Sequence, residues 1–224
     1  MRALTIAAAM LLIFVASAQA DEFRGRPPTT TLNGSTAFTL NRGEWRVGSL
    51  QFYFSFSPAS TIFSLSQFQW LNVEYGLTNR LQVGTTVLEN VLEGPNVWAK
   101  FTALRTRTLA LALPLTIDVH LSPFGAGVGS GLALSWSPSR RMTMHSGLRF
   151  WAFDGQIQLS RIHAALEYAL LAHTHLFAEA DVWPLVVEVG SLSRFRALNL
   201  EISTRLIEDA SPHLDLELEL FVRF

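Results

Sequence analysis

The last twelve residues, HLDLELELFVRF (213–224), alternate between apolar and polar side chains almost without a break. Successive side chains of a β-strand point to opposite faces of the sheet, so this stretch predicts a strand with one apolar face and one acidic, polar face. The apolar positions are Leu214, Leu216, Leu218, Leu220, Val222 and Phe224, and the charged positions are Asp215, Glu217, Glu219 and Arg223.

A strand of this kind at the end of a chain resembles the terminal strand of Gram-negative outer-membrane β-barrel proteins, whose last residue is typically Phe. The resemblance implies that the apolar face contacts lipid and that the polar face lines the lumen. It also implies that Phe224 is a barrel-assembly signal. The expected partners are therefore outer-membrane lipid, lipopolysaccharide and the barrel-assembly machinery.

The composition agrees with a membrane barrel. The chain is 49% hydrophobic with a mean hydropathy of +0.27, yet beyond the N-terminus no apolar run approaches the ~20 residues that a spanning helix needs. The absence of cysteine excludes a disulfide scaffold and a cysteine-ligated metal. A net charge of -1 without a basic stripe argues against a nucleic-acid partner.

The N-terminus has the pattern of an export signal. Arg2 is followed by an apolar stretch over 4–15 and by Ala18-Gln19-Ala20, a small-x-small cleavage pattern. We expect residues 1–20 to be a signal peptide that is removed, residues 21–34 to be a polar lead-in, and residues 35–224 to be the barrel. The expected location is the outer membrane of a Gram-negative bacterium.

Turn residues divide the rest of the chain into about twelve strand candidates, several of them with clean period-2 alternation. This pattern predicts an all-β, antiparallel up-and-down transmembrane β-barrel of about twelve strands. With both chain ends on the periplasmic side, the turns near 41–43, 78–79, 137–140, 172–174 and 207–212 are expected outside. The strand candidates are 35–40, 44–57, 63–77, 80–88, 96–105, 108–121, 126–136, 141–153, 156–170, 175–189, 194–206 and 213–224.

The stretches RGEW (42–45) and VEYGLTNRLQVG (73–84) resemble the early hairpins of a loose family of outer-membrane barrels. That family includes the transporter-like proteins of phenol-degradation (MetA-type) clusters. The resemblance implies a barrel of that general type and a route for small hydrophobic molecules.

Strand parity places nine acidic and five basic residues on the lumen face. An open lumen of this kind would favour cations, whereas a narrow barrel filled by paired charges would be closed. The sequence leaves both alternatives open. The candidate lumen-lining residues are Glu74, Lys100, Asp118, His120, Arg149, His163, Glu167, Glu179, Asp181, Glu201, Arg205, Asp215, Glu217 and Glu219, and the same parity adds Arg161, Arg223 and His145.

Catalytic and metal sites are weakly indicated. Ser146 follows His145, but strand neighbours point to opposite faces, and no Gly-x-Ser-x-Gly elbow is present. His173 and His175 lie at a turn without an obvious third ligand. We therefore predict no catalytic residue, no cofactor and no metal.

The sequence favours a passive pore or facilitator for small solutes or small hydrophobic compounds. A closed structural or interaction barrel is the alternative, and an outer-membrane lipid-modifying enzyme is a third. The oligomeric state stays open.

Overall fold

The computed structural model describes residues 36–56, 65–66, 72–87, 94–121, 124–153, 156–182, 185–195, 198–208 and 213–223. The expected signal peptide (1–20), the lead-in (21–34) and Phe224 lie outside the described residues. No described helix has the length and apolar character needed to cross a membrane.

The described part of the chain contains twelve strands of six or more residues and one two-residue strand. This confirms the all-β prediction. The strands are β1 (Trp45–Phe56), β2 (Leu65–Ser66), β3 (Asn72–Thr78), β4 (Leu81–Thr86), β5 (Asn96–Arg105), β6 (Leu109–Leu121), β7 (Phe124–Trp136), β8 (Met142–Phe153), β9 (Gln156–Ala169), β10 (Thr174–Val182), β11 (Leu185–Phe195), β12 (Leu198–Glu208) and β13 (His213–Arg223).

The strands follow an up-and-down order. From β3 to β13 each strand pairs antiparallel with the next one along the chain, and β1 pairs with β3 over residues 45–48. β1 also pairs with β13, from Arg46 opposite Arg223 to Phe56 opposite Leu214. This last pairing returns the sheet to its first long strand.

The two faces of the sheet differ sharply, and β6 shows it well. Leu113, Leu115 and Ile117 are each more than 40% exposed, whereas Ala110 and Ala112 are fully buried. The exposed positions carry apolar side chains that suit lipid, and the buried positions face the interior.

Two of the predicted strands are wrong. One is not a strand and the other is two strands, so the total number of long strands still agrees with the prediction. Residues 36–40 are not a strand. The range 175–189 holds two strands, β10 and β11. Trp183 and Pro184 stand between them in the sequence, and proline has no backbone N–H to donate to a ladder.

We call the end of the barrel where β1 begins and β13 finishes the terminal end. The connections 79–80, 106–108, 137–141 and 170–173 lie at this end, because each follows a strand that runs toward it. The expected position of 78–79, 137–140 and 172–174 opposite the chain ends is therefore wrong. The first crossing of the sheet is β1 and not residues 35–40, which shifts those turns to the other end.

Candidate functional site in the barrel lumen

The interior face of the barrel is strongly polar. On β10, His175, Glu179 and Asp181 are buried, while Leu176 and Val182 between and beyond them are exposed. Burying ionisable groups is costly unless they are paired or hydrogen-bonded. Because these three side chains share one face of β10, that face must contact water or other charged groups in the interior.

Most sequence-predicted lumen residues occupy this interior face. Asp118 and Arg149 are partly buried and border a cavity. The side chains of His120, Arg205, Asp215, Glu217 and Glu219 lie outside what the structure describes. The buried members of the predicted set are Glu74, Lys100, His163, Glu167, Glu179, Asp181 and Glu201.

A first polar network joins β1, β3 and β4. Arg46 Nη1 donates to Glu74 Oε1 at 3.0 Å, and Gln82 Nε2 donates to Glu74 Oε2 at 2.7 Å. Sequence reasoning did not single out Arg46 or Gln82. The pairing of the two strands would have identified Arg46, because it lies directly opposite Glu74 across the β1–β3 ladder.

A second network lies on β7, β8, β9 and β10. Ser135 Oγ and His145 Nδ1 are 2.8 Å apart, and His145 Nε2 is 3.6 Å from Glu167 Oε2. His175 Nδ1 is hydrogen-bonded to Glu167 Oε1. His175 thus contributes to the interior, whereas His173 is exposed in the turn, so the two do not form a metal site together.

A third network joins β9 and β10. Arg161 Nε donates to Asp181 Oδ1 at 2.7 Å, and Arg161 Nη2 is 3.8 Å from Glu179 Oε1. His163 Nδ1 is 3.2 Å from Asp181 Oδ1 and 3.3 Å from Glu179 Oε1. Ligand atoms of His163, Glu179 and Asp181 all lie within 4.8 Å of one another. Because Arg161 already supplies positive charge to both carboxylates, we interpret this group as an ion-pair network.

Residues 36–40, here called the luminal segment, lie buried inside the barrel in a non-strand conformation with a bend at Ala37. The Ala37 N–H donates to Ser135 Oγ at 2.9 Å, and Thr102 Oγ1 donates to the Ala37 carbonyl at 2.9 Å. The Leu40 N–H donates to Gln82 Oε1 at 2.9 Å. The segment is therefore held by side chains of β4, β5 and β7.

The luminal segment rests on small side chains. Phe38 packs edge-on against His145, with ring centroids 6.0 Å apart. Ala37 and Phe38 form one buried cluster with Ala110, Ala112 and Ala133 of β6 and β7. Alanine at these inward positions leaves the space that the segment fills.

Next to the luminal segment the lumen holds a cavity of about 400 Å³. Three cations and two carboxylates line it. Among the described residues, Lys100 and Arg149 have no salt-bridge partner. The residues that line the cavity include Thr36, Arg46, Glu74, Gln82, Asn96, Trp98, Lys100, Asp118, Arg149 and Trp151.

The indoles of Trp98 and Trp151 line the cavity, and each indole packs against glycine in the barrel wall. A Cβ at Gly84 would lie 2.3 Å from Cζ2 of Trp98. A Cβ at Gly127 would lie 2.4 Å from Cζ2 of Trp151, and one at Gly129 would lie 2.5 Å from its Cε3. The glycines of β4 and β7 therefore let both indoles lie close to the wall.

Ser135, His145 and Glu167 have the composition of a catalytic triad, but their surroundings differ from one. Ser135 is fully buried, and its oxygen already accepts a hydrogen bond from Ala37. A nucleophile must reach its substrate. In this arrangement Ser135 and His145 contact the luminal segment, and Glu167 pairs with His145.

No protein-family model matches the sequence, and no curated protein matches it. Among solved structures, the chain is similar to the KdgM porin in complex with disordered oligogalacturonate, with a TM-score of 0.50 and 7% sequence identity. That match covers 81% of this chain and 98% of the porin. It supports the barrel fold.

A second similar structure is a mutant of the porin of Rhodopseudomonas blastica, with a TM-score of 0.40 and 11% identity. The match covers 69% of this chain and spans about half, 54%, of that porin. The structural neighbours are thus porin barrels, and the resemblance to MetA-type barrels has no support among the comparisons.

Proposed function

We propose that this protein is a passive pore for small polar solutes in the outer membrane of a Gram-negative bacterium, reached through a cleavable signal peptide and the barrel-assembly machinery. The observation that carries the proposal is the polar cavity of about 400 Å³ inside a barrel with an apolar outer face. A structural barrel has no need of unpaired cations such as Lys100 and Arg149 around an internal space. Small hydrophobic compounds fit this charged lining less well than polar solutes.

The charge of the cavity favours anions. Arg46, Lys100 and Arg149 outnumber Glu74 and Asp118 there, whereas the acidic residues of β9 and β10 are buried in their own networks. This differs from the cation preference expected from counting the whole lumen face. We therefore expect the pore to prefer anionic solutes, because charges in a partly desolvated space are weakly screened.

Acidic sugars are the solute class that we propose first. Indole faces such as those of Trp98 and Trp151 can pack against the apolar faces of sugar rings. The side chains of Lys100 and Arg149 can bind the carboxylates of the sugars. The KdgM porin, which has a similar fold, was solved in complex with oligogalacturonate. We propose no enzymatic activity, since Ser135, His145 and Glu167 are not among the residues that line the cavity.

A closed structural barrel is the second candidate, because the luminal segment and the buried ion pairs fill much of the interior. Purified protein reconstituted in planar bilayers separates the two. A pore gives discrete conductance steps, and galacturonate in the bath reduces the current. Folded, heat-modifiable protein that never conducts would establish the closed barrel.

A further inference from the structure

We propose that the luminal segment (residues 36–40) is a built-in plug whose release from the lumen wall opens the pore. The inference rests on the proposed pore function and concerns its regulation. The segment enters the lumen at the terminal end, where the turn at 41–44 leads into β1. In that turn the Glu44 N–H donates to the Asn41 carbonyl at 3.0 Å, and Gly43 has φ +80°, a conformation that favours glycine.

The plug lies in a groove of the lumen wall, here called its seat. Ala110, Ala112 and Ala133 are all 0% exposed beneath it, so the wall on β6 and β7 leaves a groove. Larger side chains at these three positions would have filled the same space without any segment. The wall is therefore shaped for an occupant that comes from elsewhere in the chain.

The contacts that hold the plug are polar and replaceable. Ser135, Thr102 and Gln82 each bond a backbone group of the segment, and water or a solute hydroxyl can satisfy the same side chains once the segment leaves. Phe38 and Leu40 are its two large apolar side chains, each 2% exposed, and Phe38 packs against His145 and the alanines of the wall. A set of this kind suits a segment that exchanges between bound and released positions.

A chain of contacts links the plug to the cavity. Leu40 bonds Gln82, Gln82 bonds Glu74, and Glu74 pairs with Arg46, which borders the cavity. Thr36 of the segment borders the same cavity. An anionic solute that draws Arg46 away from Glu74 loosens the partner of Gln82, so solute entry and plug release are coupled.

A reversible tether tests the proposal. Oγ1 of Thr39 and Oγ1 of Thr102 are 3.5 Å apart, so sulfur atoms at these positions need only a small adjustment to reach the ~2.0 Å of a disulfide. The natural chain has no cysteine, so Thr39→Cys/Thr102→Cys yields one defined cross-link. The single variant Thr39→Cys is the matched control. Mass spectrometry verifies the bond before recording.

The recording compares the oxidised and reduced forms of the double variant in planar bilayers. We expect oxidation to abolish opening and dithiothreitol to restore it within the same membrane, with no change in the single variant. Equal conductance before and after reduction would overturn the plug while leaving the pore intact. Because the reduced form is free to open, its failure to conduct as folded protein would instead overturn the pore and the plug together.

A second variant loosens the plug without a cross-link. Ser135→Ala/Thr102→Val removes the two hydrogen bonds that these side chains make with the backbone of the segment, together with their bonds to His145 and Thr39, and nearly preserves side-chain volume. Each bond corresponds to a factor of roughly two to ten in an equilibrium, so we expect the open fraction to rise several-fold. An open fraction equal to that of the natural protein would contradict the proposed role of these contacts.

Discussion

At the scale of single residues, Arg46 and Glu74 form a buried pair with both side chains only 7% exposed. Replacing Arg46 by Met leaves a buried carboxylate beside a cavity that can admit water, and we expect a loss of about 1–3 kcal/mol in unfolding free energy. The Arg46→Met/Glu74→Gln double variant should recover part of that loss. Urea unfolding in lipid vesicles gives these values.

Arg140→Met, at an exposed position in a turn, is the control for this pair. A loss at Arg140 that matches the loss at Arg46 would show that the buried pair contributes nothing specific.

Neighbouring residues on β6 test which face meets lipid. Ile117 is 48% exposed on the outer face, whereas Thr116 faces the cavity. Ile117→Arg should cost about 2–4 kcal/mol at the bilayer midplane and less near an interface, while Thr116→Arg should cost less. Unfolding in vesicles measures both, and equal costs would contradict the assignment of faces.

Strand parity predicts the direction of a side chain but not the space around it. Parity alone predicts that arginine is tolerated at Ser203, because the position faces the lumen. In the structure Ser203 is 2% exposed, and its Cβ lies close to Gly190, so the position has no room for a long side chain. The cavity residues could not be separated from the packed ones by sequence, since both share one parity.

At the scale of elements, the luminal segment shows why a short alternating run is ambiguous. Phe38 and Leu40 are spaced as on one face of a strand, but the N–H groups of Ala37 and Leu40 donate to side chains of the wall, where a strand would donate to a neighbouring backbone. The signal that sequence reasoning did not use lies on β6, where Ala110 and Ala112 leave the interior unfilled. Long strands with clean alternation, such as β12 and β13, were predictable because their pattern extends over many residues.

The closing strand carries the assembly prediction. β13 pairs with both β12 and β1, and Phe224 follows it directly in the sequence. Deleting Phe224 should lower the yield of inserted barrel, because the apolar end of the closing strand is lost. Heat-modifiable mobility on gels measures the folded fraction. Phe224→Tyr, which keeps an aromatic end, should retain most of it, and equal yields from the deletion and the natural chain would contradict the prediction.

At the scale of the whole molecule, periodicity and composition were sufficient for the barrel, because a membrane restricts spanning strands to closed sheets. The state of the lumen was not predictable. It depends on which charged side chains meet across paired strands, such as His145 with Glu167 or Arg46 with Glu74. A count of charges on one face cannot separate buried pairs from free ones.

Ion selectivity tests the cavity directly. The natural pore should show a weak anion preference in its reversal potential across a salt gradient, and Lys100→Gln/Arg149→Gln should shift that potential toward cations. Arg140→Gln, at an exposed turn, should leave it unchanged. The opposite result would be a cation preference in the natural protein that Glu217→Gln/Glu219→Gln reduces. It would show that the acidic excess over the whole lumen face sets the selectivity, and not the basic excess around the cavity.

The glycines behind Trp151 have a consequence for molecular sieving. Because a methyl group at Gly127 or Gly129 would overlap the indole, an alanine there must displace the ring, which lines the cavity. In the proposed pore, the position of the ring, and with it the size limit, then depends on the small residues behind it. Chains that differ only at these two positions would admit solutes of different size past the same indole.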